Sequence, residues 1–252
     1  MVISGASSGL GAALARRYAG PGVTMGLIGR NSERLAATAA TCRAQGAATV
    51  TGLLDVAEAA PLAAWLGEFD RVTPVDLVIA NAGISAGPAP GSPSEGLELA
   101  TRQVRTNLLG AVNLVETLVP ALAARGRGRI ALVSSVAGYR GLPYSPAYSA
   151  SKAGIRAYGE ALRALLATHG VGVSVICPGF FASPMTDRYK GDHPFVVSLE
   201  RAAAIVGAGI ERGRKRIVFP WPLVFALRCA DLMPAALGDA ILRRVHFHIE
   251  PG

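Results

Sequence analysis

Short apolar runs alternate with helically spaced apolar residues along the chain. Val23–Ile28, Ala48–Leu53, Val75–Ala80, Arg129–Ser134, Val171–Cys177 and Arg216–Phe219 have the length of strands, and several are apolar at consecutive positions. That pattern marks strands buried on both faces. The stretches between them, Ser32–Gln45, Glu58–Phe69, Arg105–Ala124 and Ala147–His169, read as helices. In the last of these, Ile155, Tyr158, Leu162, Leu165 and Leu166 recur at helical spacing. A further helix, Leu10–Tyr18, follows a first strand represented only by Met1, Val2 and Ile3. Either that strand is unusually short or the native chain starts upstream of Met1. Alternation of this kind, with no linker and no repeat, predicts one α/β domain over 1–252. Its architecture is a doubly wound parallel sheet of about seven strands with helices on both faces.

Loops rich in Gly, Ser and Pro follow several strands, notably NAGISAGPAPGSPSEG (81–96) and PGFFASPMTDRYKGDHP (178–194). In an open parallel sheet the ligand sits beyond the carboxyl ends of the strands. These loops therefore frame the predicted site, with 183–212 as a lid over the substrate. Residues 220–252 form an apolar extension. Trp221, Leu223, Val224, Phe225 and Leu227 make a run, Pro234 breaks it, and Leu237–Val245 reads as another helix. Such a surface is expected to pack on its own domain or on a second subunit. A wall of a lipophilic pocket and a membrane-surface contact are the other readings.

Composition narrows the partners. The chain is 51% hydrophobic and 17% charged, which describes a packed rather than a disordered polypeptide. The net charge of +8 is spread over scattered Arg residues, with one short cluster at Arg212 to Arg216. No basic face interleaved with aromatics appears, so no nucleic-acid partner is expected; a small anionic ligand suits the balance. Cys42, Cys177 and Cys229 are odd in number and widely spaced, which fits a reducing cytoplasm and excludes a disulfide framework. Neither these nor the four scattered His suggest a metal site, and His246 and His248 are assigned no role. No secretory signal is evident at the N-terminus. No segment is read as a run of roughly 18 apolar residues, the length that spans a bilayer. The nearest, 217–230, is interrupted by Pro220, Pro222 and Arg228. A cytoplasmic protein without a transmembrane span is expected.

Three stretches carry chemistry. Gly5, Gly9 and Gly11 lie where the first strand turns into the first helix. Residues without Cβ let a backbone bend tightly and approach a pyrophosphate, which the helix N-terminus then holds with free N–H groups and its dipole. The second strand ends in LIGRN, with Arg30 where an NAD-preferring enzyme would place an acid against the adenosine ribose. A guanidinium there suits a 2′-phosphate, so NADP(H) is favoured over NAD(H). Tyr148 and Lys152, four apart, share a helix face. An ammonium beside the phenol should lower its pKa and make Tyr148 a general acid/base, with Ser135 at a strand end to bind the reacting oxygen.

The ordered motifs SGASSGLG (4–11), LDV (54–56), NAG (81–83), TNLLG (106–110), SSVAG (134–138), YSASK (148–152) and PGFFASPM (178–185) resemble the short-chain dehydrogenase/reductase family. The likeness runs from Val2 to about Met185. It implies a Rossmann-like NAD(P)-binding domain that moves a hydride between the nicotinamide and a carbonyl or secondary alcohol. Tyr148 would give or take the proton, Ser135 would orient the oxygen, and Lys152 would also hold the nicotinamide ribose. Asn107 would kink its helix and anchor a water next to Lys152. The turn Gly5, Ser7, Ser8, Gly9, Leu10 and Gly11 would take the pyrophosphate, and Asp55 and Val56 would flank the adenine. Asn81, Ala82 and Gly83 would line the centre of the cleft, while Pro178, Gly179 and Ser183 would approach the carboxamide. The resemblance also implies a homodimer or homotetramer. Ser4 and Ser183 stand where the family often has Thr, and Ser8 stands where NADP-preferring members often have a basic residue. Arg30 would then carry that preference alone.

The lid and the apolar C-terminal run suggest an apolar substrate. A dinucleotide-binding regulator without turnover is the alternative, but it has no need of the proton relay of Ser135, Tyr148, Lys152 and Asn107. A sugar-nucleotide epimerase would share the Tyr–Lys pair. Its relatives are usually longer and carry a GxxGxxG turn, unlike the GxxxGxG found here.

Overall fold

The computed structural model describes residues 1–89, 91–183, 185–191, 195–242 and 247–249. Pro184, residues 192–194 of the loop after 178, and residues 243–246 with His246 lie outside them. So do residues 250–252, together with the end of the expected Leu237–Val245 helix.

The strands β1 (Val2–Ser4), β2 (Thr24–Gly29), β3 (Ala48–Leu53), β4 (Leu77–Ala80), β5 (Gly128–Val133), β6 (Val171–Pro178) and β8 (Arg216–Phe219) form one sheet. Its order is β3-β2-β1-β4-β5-β6-β8. Every pairing in it is parallel. Neighbouring residues of one strand serve opposite cores, as the pleat requires. Ile3 points into a cluster with Leu14 of α1 (Gly9–Tyr18), Leu35 of α2 (Ser32–Ala44) and Val206 of α7 (Leu199–Glu211). Val2 joins Leu66 of α3 (Ala59–Val72), Leu118 of α5 (Gly110–Arg125) and Leu162 of α6 (Pro146–Leu166) on the other face. Within this sequence, the first strand covers Val2–Ser4, and the Met1 nitrogen donates to the Thr24 carbonyl at 2.9 Å. The chain reverses its strand order between β1 and β4. A cleft opens at the carboxyl ends of these two strands, as doubly wound sheets dictate.

Three sequence expectations need correction. The helix read as Arg105–Ala124 begins earlier, with α4 (Leu97–Val104), and runs without interruption through a π-helical segment, Arg105–Leu109, into α5. The resulting Leu97–Arg125 helix is long and apolar enough to cross a membrane by length and composition, with a mean hydropathy of 1.4. No segment of that kind was expected. Here Leu114, Val115, Leu118 and Leu122 are buried in a core of this domain, and the core helix of a soluble protein passes the same test of length and composition. The 183–212 lid also shrinks. From Leu199 onward it is α7, whose Ala202, Ala203, Val206 and Ile210 recur at helical spacing and are buried in a core that includes α1.

In the C-terminal extension, α8 (Trp221–Asp231) buries Val224 with Leu223 and Leu227 against Val136, Tyr139 and Val175. Its other face leaves Trp221 70% and Phe225 64% exposed. Arg140, from the loop after β5, holds the extension by donating to the Ala230 carbonyl at 3.3 Å and to Asp239 of α9 (Ala235–Leu242) at 3.2 Å. The chain then returns as β9 (Phe247–Ile249), antiparallel to β7 (Tyr189–Gly191) of the 178–194 loop. That pairing has no sequence signature, because each strand is only three residues long.

Candidate active site

The cleft has a volume of about 640 Å³, and its wall runs from Arg30 to Tyr148. That is the size range of a small-molecule site. Its floor is the turn between β1 and α1. Gly5 (φ +68°) and Gly9 (φ +51°) sit in the left-handed region. A Cβ on Gly5 would stand 2.8 Å from the Ala82 backbone, and one on Gly11 would collide with the Gly5 carbonyl. Only glycine allows the two strand ends to close this tightly. Ser4 locks them: its hydroxyl accepts from the backbone N–H of Asn81 (3.0 Å) and of Ala82 (3.1 Å). Asn81 returns the contact by donating through Nδ2 to the Ser4 carbonyl at 3.0 Å. The hydroxyl that Ser and Thr share is therefore what this position uses. The first turn of α1, with Ser7 and Ser8 ahead of it, lines the cleft, and the N–H groups of a helix start, which lack partners within the helix, suit an anion there.

At one end of the cleft, Arg30 donates to Asp55 at 3.3 Å, and the other Asp55 oxygen accepts from the Ala57 N–H at 2.9 Å. Val56 is buried beneath, its carbonyl held by Asn113 at 3.0 Å. Asn31 caps α2 by accepting from the Arg34 N–H at 2.8 Å, which places Arg34 on the cleft wall beside Arg30. Sequence reasoning missed Arg34. Its signal is present in RNSER, where a cap residue and a four-residue step from Arg30 to Arg34 begin the helix.

At the other end, Ser135 follows β5 and its hydroxyl accepts from the Ala137 N–H at 3.1 Å. Helix α6 is pressed against this turn. A Cβ on Gly138 would stand 2.8 Å from the Lys152 carbonyl, and that carbonyl accepts from the Ser134 hydroxyl at 2.7 Å. Lys152 is buried, with Nζ donating to the Val133 carbonyl at 2.9 Å and lying 5.6 Å from the centroid of the Tyr148 ring. Burial draws the Lys152 ammonium down to about 8. The expected lowering of the phenol does not follow from this arrangement. Burial pushes Tyr148 above its usual value and Tyr189 adds to the rise, while the Ser135 hydroxyl pulls the other way. The lysine charge is directed at the Val133 carbonyl as well as at the ring.

Asn107 lies in the π-helical segment, so the implied distortion of its helix is present. Its side chain is committed to structure: Oδ1 accepts from the Ile84 N–H (2.8 Å), and Nδ2 donates to the Ile84 carbonyl (2.9 Å) and to Ser151 (3.0 Å). It thereby pins the loop after β4 to α6, with Gly83 against both Asn107 and the Lys152 ammonium. Pro178 and Gly179 continue β6 into the cleft, and the Gly179 N–H donates to the Phe219 carbonyl at 2.7 Å. Ser183 shares a 2.9 Å hydrogen bond with Thr186 and hangs over Gly9. All seventeen cofactor positions inferred from sequence except Gly11 line the cleft, and Gly11 supports it from behind. Ile84, Val136, Leu142, Phe180 and Met185 give the wall an apolar share, beside the hydroxyls of Ser134 and Thr186. Tyr189 completes it and shares a 2.6 Å hydroxyl contact with Ser85. Among the described residues no three His, Cys, Asp or Glu side chains gather as metal ligands would.

Comparison with known proteins gives the site a context. A family model described as short chain dehydrogenase matches residues 1–193. An uncharacterized oxidoreductase of Myxococcus xanthus is 36% identical over 249 residues, covering 97% of this chain and 96% of that protein. The ketoacyl reductase HetN of a Nostoc species is 37% identical over 215 residues, covering 84% and 74%. Among solved structures, a metagenomic short-chain oxidoreductase in complex with NADP superposes with a TM-score of 0.70. It is 26% identical, with 82% of this chain and 87% of that one covered.

Proposed function

Because this chain belongs to the short-chain dehydrogenase/reductase family, we propose that it is an NADP(H)-dependent carbonyl reductase or alcohol dehydrogenase with Tyr148 as its proton donor. One observation carries the reading. Ser135, Tyr148 and Lys152 converge on the same end of a cleft whose other end holds two guanidinium groups.

The residues present fit a dinucleotide phosphate. The glycine cradle and the α1 N-terminus would take the pyrophosphate, and Arg30 with Arg34 the 2′-phosphate. Lys152 would hold the nicotinamide ribose. When bound, that cofactor supplies the hydride that adds to the carbonyl carbon. The protein handles the oxygen. The Ser135 hydroxyl orients it, and Tyr148 Oη transfers a proton to it, so that the carbonyl becomes an alcohol and the phenol a phenolate. A phenol held above its usual value stays protonated through neutral pH and suits reduction; oxidation would need the phenolate. Of the expected lid over 183–212, the described residues ahead of α7, namely 183, 185–191 and 195–198, are the part we assign to it. The apolar share of the wall favours ketones or aldehydes with sizeable apolar groups, and we place the enzyme in the cytoplasm as a homodimer or homotetramer without nucleic-acid partners.

Purified protein is expected to oxidise NADPH when offered apolar ketones or aldehydes. A panel that includes aromatic ketones and, because of the ketoacyl reductase relative, 3-oxoacyl thioesters tests this directly. Tight NADPH binding with no turnover across the panel would replace the reading by that of a dinucleotide-binding regulator.

The lysine gives a pH dependence of definite sign. Its ammonium persists below about 8 and loses its proton above, so the charge that would hold the ribose is lost as pH rises. The kcat/KM for NADPH, which reports groups of the free enzyme, is expected to fall through an apparent pKa near 8. A profile flat to pH 9.5 would show that no loss of the Lys152 charge limits cofactor capture in that range.

A further inference from the structure

The helix that carries Tyr148 and Lys152 begins with an unusual cap. Pro146 and Ala147 open α6, and the first N–H groups of any helix lack partners within it. Ser145 occupies the cap position, where its hydroxyl would ordinarily accept one of them. Instead Ser145 is fully buried, and its Oγ has no hydrogen-bond partner among the described residues. The Ala147 N–H is satisfied from elsewhere: it donates to Glu95 Oε2 at 2.9 Å, from a residue 52 positions earlier. Through Oε1 the same carboxylate accepts from Gln103 Nε2 at 3.4 Å. Gln103 is fully buried on α4, and its Oε1 accepts from the Ala86 N–H at 3.0 Å. One acid thus joins the loop after β4, helix α4 and the turn from which Tyr148 projects.

We propose that Glu95 is a positioning residue for the proton donor, holding the first turn of α6 so that Tyr148 Oη stays over the cleft. The proposal rests on the reading of Tyr148 as the acid. A carboxylate at a helix N-terminus is favoured by both the dipole and the unpaired N–H group. Tyr148 follows Ala147 directly, so a shift of that peptide is passed to the ring. Lys152 is one turn further on and is fixed independently, by Val133 through its ammonium and by Ser134 through its carbonyl. Loss of Glu95 should therefore misplace the acid while sparing the cofactor site.

The test compares Glu95→Ala with Glu95→Gln in the full chain. A misplacement of about 1 Å costs up to about 100-fold in rate, so the alanine variant is expected to lose roughly ten- to a hundredfold in kcat. Its KM and Kd for NADPH should stay within about twofold of wild type. Gln keeps an oxygen for the Ala147 N–H, gives up only the longer contact from Gln103 Nε2, and should restore kcat to within about threefold. Unchanged kcat in the alanine variant, a glutamine variant as slow as alanine, or a Kd for NADPH that rises in step with the loss of kcat would each overturn the proposal. Should the alanine variant fail to fold, Glu95→Asp, one methylene short, is read by the same split. Amide hydrogen exchange at Ala147 and Tyr148 separates this proposal from the reductase reading. Faster exchange in Glu95→Ala supports the cap even if no carbonyl is turned over, and unchanged exchange sinks the cap whatever the activity.

Discussion

Tyr148→Phe is expected to lower kcat for carbonyl reduction by about a thousandfold, within the range that general acid catalysis supplies, while leaving the Kd for NADPH within about twofold. The substitution removes one oxygen and keeps the ring. The ring is what packs near the Lys152 ammonium and sits on the cleft wall, so the cleft should keep its shape. The developing alkoxide would then lack a proton donor. Ser135 cannot replace the phenol, because a serine hydroxyl is a far weaker acid; it can still donate a hydrogen bond that orients the oxygen, since the Ala137 N–H occupies only one of its lone pairs. Steady-state kinetics with NADPH fluorescence titration reads both quantities. A phenylalanine variant with a tenth or more of wild-type kcat would remove Tyr148 from the chemistry. A variant that lost binding and rate together would point to collapse of the wall instead.

The Tyr148–Lys152 pair and the Gly5–Gly11 turn are legible in the sequence because their chemistry depends on local spacing. Residues four apart on a helix share a face, and glycines between a strand and a helix let the backbone close on a pyrophosphate; each signal is weak alone and becomes specific through the other motifs along the chain. The parallel, doubly wound character of the sheet is legible for a similar reason, since each short apolar run needs helices on both sides, but the order of its strands comes from the structure alone. Interactions across long stretches of chain are not. Glu95 meets Ala147 only because α4 packs against α6, and nothing in GSPSEG announces it. The Ser85–Tyr189 contact spans 104 residues and depends on where the 178–194 loop lies. The phenol pKa was misjudged from spacing for the same reason. Proximity to Lys152 can be counted along a helix, whereas burial of both groups and the competing Val133 carbonyl belong to the assembled core. The half of 183–212 expected as lid is core helix because its Ala, Val and Ile repeat has the helical period, which the Gly- and Pro-rich residues before it obscure.

Cofactor choice should rest on two arginines rather than one. Arg30 is 54% exposed and shares its charge with Asp55 at 3.3 Å, so solvent and the acid both weaken it. Arg34 makes no ion pair among the described residues and stands on the same wall, on a helix turn that Asn31 caps. A charge-assisted hydrogen bond to phosphate is worth about 1.5–3 kcal/mol, or roughly ten- to a hundredfold in affinity for each arginine that engages fully. Arg34→Ala is therefore expected to raise the KM for NADPH by about tenfold or more, Arg30→Ala by less, and the double variant by about a hundredfold. The kcat should be unchanged in all three, because the adenosine end of the cleft lies far along the cofactor from the reacting carbon. NADH lacks the 2′-phosphate, so its KM should stay within about twofold throughout, and the double variant should lose its preference. Equal losses for NADPH and NADH would mean that these arginines shape the pocket and do not read the phosphate. An unchanged NADPH KM in the double variant would move the source of any NADP preference away from β2 and α2 altogether.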